Sequence, residues 1–534
     1  MKKLLKFLLL IMPACLFLSY HPLMRFGESE TMYFELSVAM IWLVMFDVVA
    51  VVIMWQEKLL FKGLKNKWVW ILFPVWLTLS IAWSLNVTRG VLTAGVLWLV
   101  YIAGYGMWTL REILGKEFWM KWVKWLMITT LVVCGWCLLQ CILDLAGVGQ
   151  NTTLLCDGCT YQMFGFPHPN GFAIEPQFMG NLLLAPAMIA MWLYLFEKQV
   201  SKKTSREHSR GVIFITAKSD SARYCSTGSS SVAVVKMTTG SRFLCSVFLL
   251  TCFFIITTTL FLTFSRGAIY AFLVGVVVMG VMVLVREKKR KGIGKRIGVL
   301  CLTIITAFIV SLVAQGVMAE VSPTDDTFQT GVAKVLNHLS LGIIDIREKG
   351  TDVGESTEEA EPVENFQENS GDESVTNLTE ESPDKQSVVK KLAEKSKAVF
   401  NGYVAESTDT RVRLTGAAFQ IWASEPKIVL VGVGLGGAGQ ALYNNGLSPA
   451  PREIVQNEYA SLLLETGVIG LVLFCLTIVL IVRAVLKLKL KAGLALVIAL
   501  LVAYAITLMF FSGLANALQI YLMPVPIIMT LMFI

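Results

Sequence analysis

The chain has 534 residues, 55% hydrophobic and 16% charged, with a mean hydropathy of +0.65. A soluble domain cannot hide that much apolar surface, so the composition excludes a water-soluble globular protein and predicts a polytopic membrane protein. The net charge of +8 does not indicate a nucleic-acid partner, because the basic residues lie in short stretches between apolar runs.

The first residues, MKKLLKFLLLIMPACLFLSY, join a basic start to an apolar run with no small-x-small cleavage site after it. They predict an uncleaved first span with its basic end inside. Further apolar runs lie near residues 36–55, 68–84, 90–109, 122–145 and 177–196, then 243–263, 267–285, 297–317, 467–483, 493–511 and 514–533. Each is about long enough to cross roughly 30 Å of hydrocarbon as a helix. The expected architecture is an all-α integral membrane protein of about twelve transmembrane helices, with one large extracytoplasmic loop containing short helices.

Charge tests that count. The segments expected inside hold 31 of the 46 Lys and Arg, including REKKRKGIGKR from Arg286, whereas the outer loops before residue 319 hold only Arg25, Arg89 and Arg266. Residues 319–466 hold 24 of the 38 acidic residues against 12 basic ones, so they belong outside and both termini inside. The chain therefore divides into membrane spans one to six (1–198), a Ser-, Thr- and Lys-rich cytoplasmic linker (199–241), spans seven to nine (242–318), the outer loop (319–466) and spans ten to twelve (467–534). Within the outer loop, residues 349–387 are acidic and nearly free of large apolar side chains. Such a segment cannot offset its ordering entropy, and reads as a disordered insertion.

Most of the eleven cysteines (Cys134, Cys137, Cys141, Cys245, Cys252, Cys301 and Cys475 among them) fall in spans and read as small packing residues. Cys156 and Cys159 lie in a polar stretch and permit a small disulfide in an oxidising exterior. With four histidines and no His/Cys cluster, no metal site is expected.

Polar chemistry concentrates in a few places. Arg266, in TTTLFLTFSRGAIYAFLVG, is almost alone in a long apolar run, and either reaches the outer headgroups or faces an anion. The scarcity of positive charge on that face favours the anion. Arg89, Arg411 and Arg413 add cations on the same side, and guanidinium groups grip phosphate oxygens in a fork. Several at one membrane face point to a diphosphate headgroup. Gly432, Gly434, Gly436, Gly437 and Gly439 lack the dinucleotide-binding spacing and predict a tight turn or a close backbone approach. Asn457, Ser461 and Glu465 share one helical face. FPHPNGFAIEPQF, with His168 and Asn170, predicts a shaped re-entry into the sixth span.

Together these stretches resemble the O-antigen ligase and Wzy-type polymerase superfamily of bacterial envelope glycosyltransferases, over roughly residues 160–520. SRG at Ser265–Gly267, RLTGAAFQIWASEPKIVLVGVGLGG, QNEYASLLLETGVIG and PHPNGFA are similar to the family's segments, in the family's order. The resemblance implies an enzyme of the bacterial plasma membrane that transfers a glycan from a polyprenyl-diphosphate carrier to a glycan or lipid acceptor on the outer face. It implies no cofactor, metal or nucleic acid. Arg266 and Arg413 take the position of the diphosphate clamps, with Arg89 and Arg411 nearby. The family's histidine is Gln456 here, and an amide cannot act as a base. Either Gln456 orients the acceptor while Glu458, Glu465 or His168 takes the proton, with Asn457, Gly434 and Asn170 shaping the acceptor side, or stabilisation of the leaving group suffices. A transporter or flippase of envelope glycans, or a non-catalytic assembly partner, are the other readings. Polar residues gathered at outer span ends, rather than at mid-membrane, favour the enzyme.

Overall fold

The computed structural model describes the chain apart from residues 21, 30–31, 61–67, 148–163, 174–175, 209–238, 287–291, 323–325, 341–409, 452, 489, 491–492, 512–517 and 534. The acidic stretch 349–387, most of the linker 199–241 and the Cys156–Cys159 pair lie outside the described residues.

The described parts of the expected apolar runs are mainly helical. Helix α1 (Lys2–Phe17) packs on α2 (Val38–Gln56), where Trp42 Nε1 donates to the Leu8 carbonyl at 2.7 Å. Then come α3 (Leu72–Ser80), α4 (Val87–Leu114), α5 (Lys116–Leu145), α6 (Pro176–His208), α7 (Thr239–Leu262), α8 (Arg266–Arg286) and α9 (Ile293–Val321). Five short helices follow or interleave: α10 (Phe328–Leu339), α11 (residues 410–422), α12 (Pro426–Val431), α13 (Ala438–Asn444) and, near the end, α16 (Leu518–Leu522). The remaining helices are α14 (Glu458–Lys487), α15 (Gly493–Phe510) and α17 (Pro524–Phe533).

Among the described residues, eight helices are long and apolar enough to cross a membrane, with shorter apolar helices at Val69–Trp83, Ser246–Leu262 and Leu518–Phe533. The run near 68–84 is short because α3 is flanked by 3-10 turns on both sides. The run at 514–533 is split at Met523, where Pro524 and Pro526 follow and cannot donate within a continuing helix. One departure from an all-helical chain is the antiparallel strand pair Pro22–Ser29 with Met32–Ser37, which carries the β-favouring Phe26, Tyr33 and Phe34.

Burial ranks the helices. The α6 span is 89% buried and forms the axis of the bundle, whereas α9 and α14 are 22% and 17% buried and lie at its rim. Their exposed Leu302, Val313, Val472 and Val479 suit lipid rather than water. Cys134, Cys137, Cys141 and Cys252 are buried packing residues as expected, while Cys301 and Cys475 are exposed on the rim.

The helix ends gather the polar stretches. Tyr20 after α1 stacks on Phe178 in α6 at 4.3 Å, and Phe178 meets Phe511 after α15 at 5.2 Å. The start of α14 reaches the same end, where Tyr459 Oη donates to the Ala505 carbonyl at 2.9 Å. At the start of α8, a Cβ on Gly267 would lie 2.9 Å from the Phe510 side chain.

Candidate functional site

The re-entrant stretch 164–173 is pinned from three sides. Gln140 of α5 donates from Nε2 to Asn170 Oδ1 at 2.8 Å and accepts from the Gly171 amide at 3.1 Å. Ser322, after α9, donates to the Gly165 carbonyl at 3.0 Å. Lys334 of α10 reaches the Phe164 carbonyl at 3.3 Å while pairing with the buried Asp326 at 2.7 Å. Proline on either side of His168 removes two amide donors, so these side-chain bonds anchor a segment with few ladder bonds of its own. His168 and Asn170 are both buried.

Arg266 opens α8 from the next turn. Phe264 before it has φ +48°, a left-handed conformation disfavoured for an aromatic side chain, and Ser265 accepts from the Ala268 amide at 3.4 Å. The turn fits under α6 only because residue 180 is glycine: a Cβ there would lie 2.8 Å from that of Ser265 and 2.9 Å from that of Ala268. Arg266 is 7% exposed. A buried cation, at the positive end of a helix, after a left-handed phenylalanine, departs from three local preferences at once. Such departures collect at functional sites.

His338, on α10, completes the cluster. Its Nε2 lies 3.2 Å from the Phe264 carbonyl, and its ring meets Phe164 edge-on at 5.3 Å. Burial pushes its pKa down to about 3, and the nearby charge of Arg266, with smaller effects from His168 and Arg411, adds to the drop against the Phe264 hydrogen bond. His338 is therefore neutral at ordinary pH. Arg411 arrives from α11 and donates to Gln177 Oε1 of α6 at 3.2 Å. Arg413 is exposed on the same helix. Residues two apart on a helix do not face the same way, and of the two arginines it is Arg411 that acts on His338.

The glycine-rich turn serves packing. Gly432, Gly434 and Gly436 all have positive φ. Val433 and Gly434 donate to the Leu464 and Glu465 carbonyls, each at 2.9 Å, and Leu435 donates to Ser80 Oγ at 3.3 Å. Trp83 Nε1 closes on the Val431 carbonyl at 3.2 Å. The Glu465 carboxylate accepts from the Ala438 amide at 3.3 Å, also takes the Gly436 amide, and has Arg89 within electrostatic reach. With its amides thus engaged, the turn is a tight backbone junction, not a phosphate cradle. Beside it, α14 bends at Gly467 (φ +66°, ψ −171°), where a Cβ would lie 2.2 Å from the Leu430 oxygen.

At the start of α14, Asn457 caps the helix, its Oδ1 accepting from the Ala460 amide at 3.1 Å. Gln456 is half-buried with φ +61°. Glu458 is buried, within electrostatic reach of the Tyr521 hydroxyl.

The structure thus groups Arg266, Arg411, His168 and His338, and sets Arg89, Glu465 and Gly434 together in a second, packing junction. Sequence reasoning missed His338, Gln140 and Gln177. His338 had one signal: it is the sole histidine in the segment expected outside from residue 319 onward. Among the described residues, no group of three or more His, Cys, Asp or Glu is placed to hold a metal ion.

Residues 251–475 match a family model described as O-antigen ligase. No curated protein and no solved structure matches the chain. The matched segment supplies Arg266, His338, Arg411, the glycine turn and the start of α14, while His168, Gln140 and Gln177 come from outside it. Over residues 251–475, then, the chain is similar to the O-antigen ligase family.

Proposed function

We propose that the chain is a glycosyltransferase of the bacterial plasma membrane. It moves a glycan from a polyprenyl-diphosphate carrier to a hydroxyl of a second glycan or a lipid, at the outer face and without a nucleotide sugar. The observation that carries this reading is the buried Arg266 together with Arg411, two permanent cations from separate helices that both act on His338, at the end of the bundle where α14 also begins. As the glycosidic C–O bond breaks, negative charge grows on the leaving diphosphate, and fixed guanidinium groups stabilise it most at that moment. Arg413, exposed one face away, draws the anionic carrier in. Gln456 orients the acceptor hydroxyl. Glu465 is held by the glycine turn and acts through position, which leaves Glu458 and His168 as the groups able to take the acceptor proton.

The test is reconstitution. Purified protein in vesicles carrying a polyprenyl-diphosphate glycan should form a new glycosidic product and release polyprenyl diphosphate, with no nucleotide sugar present. Movement of intact donor to the opposite leaflet, with no product, would favour a transporter instead.

The site end should face outward. The opposite ends carry Lys2, Arg111, Lys116, Arg286 and Arg296, the pattern of a cytoplasmic face. In a cysteine-free background, Asn444→Cys, exposed at the end of α13, should react with a membrane-impermeant thiol reagent in intact cells with a permeable outer layer. Glu112→Cys, exposed near the other end of α4, should not. The reverse pattern would place the site on the wrong side of the membrane for this chemistry.

A further inference from the structure

Neither the proposed clamp nor the proton-taking groups named above account for His338. It is 2% exposed, and among the described residues its Nδ1 has no hydrogen-bond partner. The geometry fixes its tautomer. The Phe264 carbonyl can only accept, so the Nε2 atom 3.2 Å away carries the proton, and Nδ1 is a bare lone pair. Among the described residues, charged or titratable groups act on the ring from α8 (Arg266), α11 (Arg411) and the 164–173 stretch (His168). Lys334, one turn earlier on α10, is paired with Asp326. A third cation beside two arginines in a buried setting is unfavourable, and the ring stays neutral while no anion is there.

We infer that His338 is a proton-dependent third ligand for the diphosphate: binding of the anion between Arg266 and Arg411 draws a proton from solvent onto Nδ1, which then donates to a phosphate oxygen. The change is a simple protonation. Imidazole plus one solvent proton gives imidazolium, and departure of the diphosphate product returns the proton. Burial, the largest effect on the ring, still opposes the charge, but the anion offsets the repulsion from the arginines and adds an attraction of opposite sign, and both of these favour the charged form. A neutral ring in the empty site avoids a permanent third charge, and the charged ring appears only when the ligand most needs it. This inference rests on the diphosphate reading above and assigns that site a ligand the resemblance does not supply.

The test uses the full-length protein in detergent, with inorganic pyrophosphate as the probe. Calorimetric titrations between pH 5 and 7, in buffers of different ionisation enthalpy, report protons taken up per anion bound. His338→Gln keeps an N–H donor for the Phe264 carbonyl but cannot titrate. The difference between wild type and this variant cancels the probe's own protons, and His168→Gln serves as the parallel control. Wild type should take up as much as about one proton more than His338→Gln, increasingly so toward pH 5, and should bind roughly tenfold or more tightly there. His168→Gln should keep the uptake. Equal uptake in wild type and His338→Gln would overturn the inference and leave the arginine clamp standing. Loss of uptake in His168→Gln alone would transfer the role to His168 and overturn it also. Loss of all pyrophosphate binding in His338→Gln, with wild type binding, would show a structural histidine. If wild type itself does not bind pyrophosphate, the diphosphate reading fails, and this inference with it.

Discussion

Arg266→Ala should lower glycan transfer by roughly 10²–10³ while leaving the amount of protein in the membrane near normal, since removing one fixed donor to a developing oxyanion commonly has that effect. Folding should survive because the turn is held by other groups: Ser265 caps α8, Gly180 admits α6, and His338 and Tyr270 bond the Phe264 and Leu339 carbonyls. Removing a buried guanidinium also relieves a desolvated charge at a positive helix end, which works against a loss of stability. Arg266→Lys is the sharper variant. Lysine keeps the charge but loses the planar fork, so a clamp is impaired, whereas an arginine reaching for headgroups accepts the exchange. The measurement is transfer in membranes with expression matched. Near-normal activity of Arg266→Lys would rule out the fork, and a fall in abundance equal to the fall in activity would make the residue structural.

Gly434→Ala should fail earlier, at folding. A Cβ at residue 434 would stand 2.2 Å from the Ser84 Cα and 2.5 Å from its nitrogen, and neither is a flexible side-chain end that can swing away. The backbone adds its own obstacle, because φ +91° is strained for any L side chain. Overpacking against main chain together with a disallowed conformation costs about 3 kcal/mol or more, a large part of typical stability. Gly280→Ala in α8 is the control, with nothing within 4 Å of the new methyl. Heating the purified proteins and following the monodisperse fraction should show Gly280→Ala like wild type. Gly434→Ala should be lost at much lower temperature or absent from the membrane. An unchanged thermal transition for Gly434→Ala would mean that the turn packs on Ser84 more loosely than described.

The helices were legible because a membrane span needs a long apolar run, and that requirement is written locally. The tight glycine turn was legible for the same reason, since clustered glycine signals backbone that side chains would obstruct. What the turn approaches was not, because Ser84 is distant in sequence and no local pattern announces it. Choosing between Arg411 and Arg413 required the facing helix: the bond from Arg411 to Gln177 spans 234 residues. His338 looked ordinary because its meaning comes from Phe264, Arg266 and Phe164, none of which is near it along the chain. Glu465 looked catalytic on its helix face, but the amides that engage it lie in the glycine turn. The strand pair at Pro22–Ser37 was hidden in a polar interval too short to stand out beside the spans.

The left-handed backbone at Gln456 restricts which amino acids that position can hold before chemistry enters. A residue at φ +61° immediately ahead of a helix cap excludes proline, whose ring fixes φ negative, and penalises valine, isoleucine and threonine. Asparagine, aspartate and histidine adopt the left-handed region several-fold more readily than most side chains. The histidine that the resemblance places here and the glutamine found here therefore differ as proton acceptors while having to meet the same conformational demand. Mutational drift at this position is channelled by the main chain into a short alphabet, and most of its letters are polar.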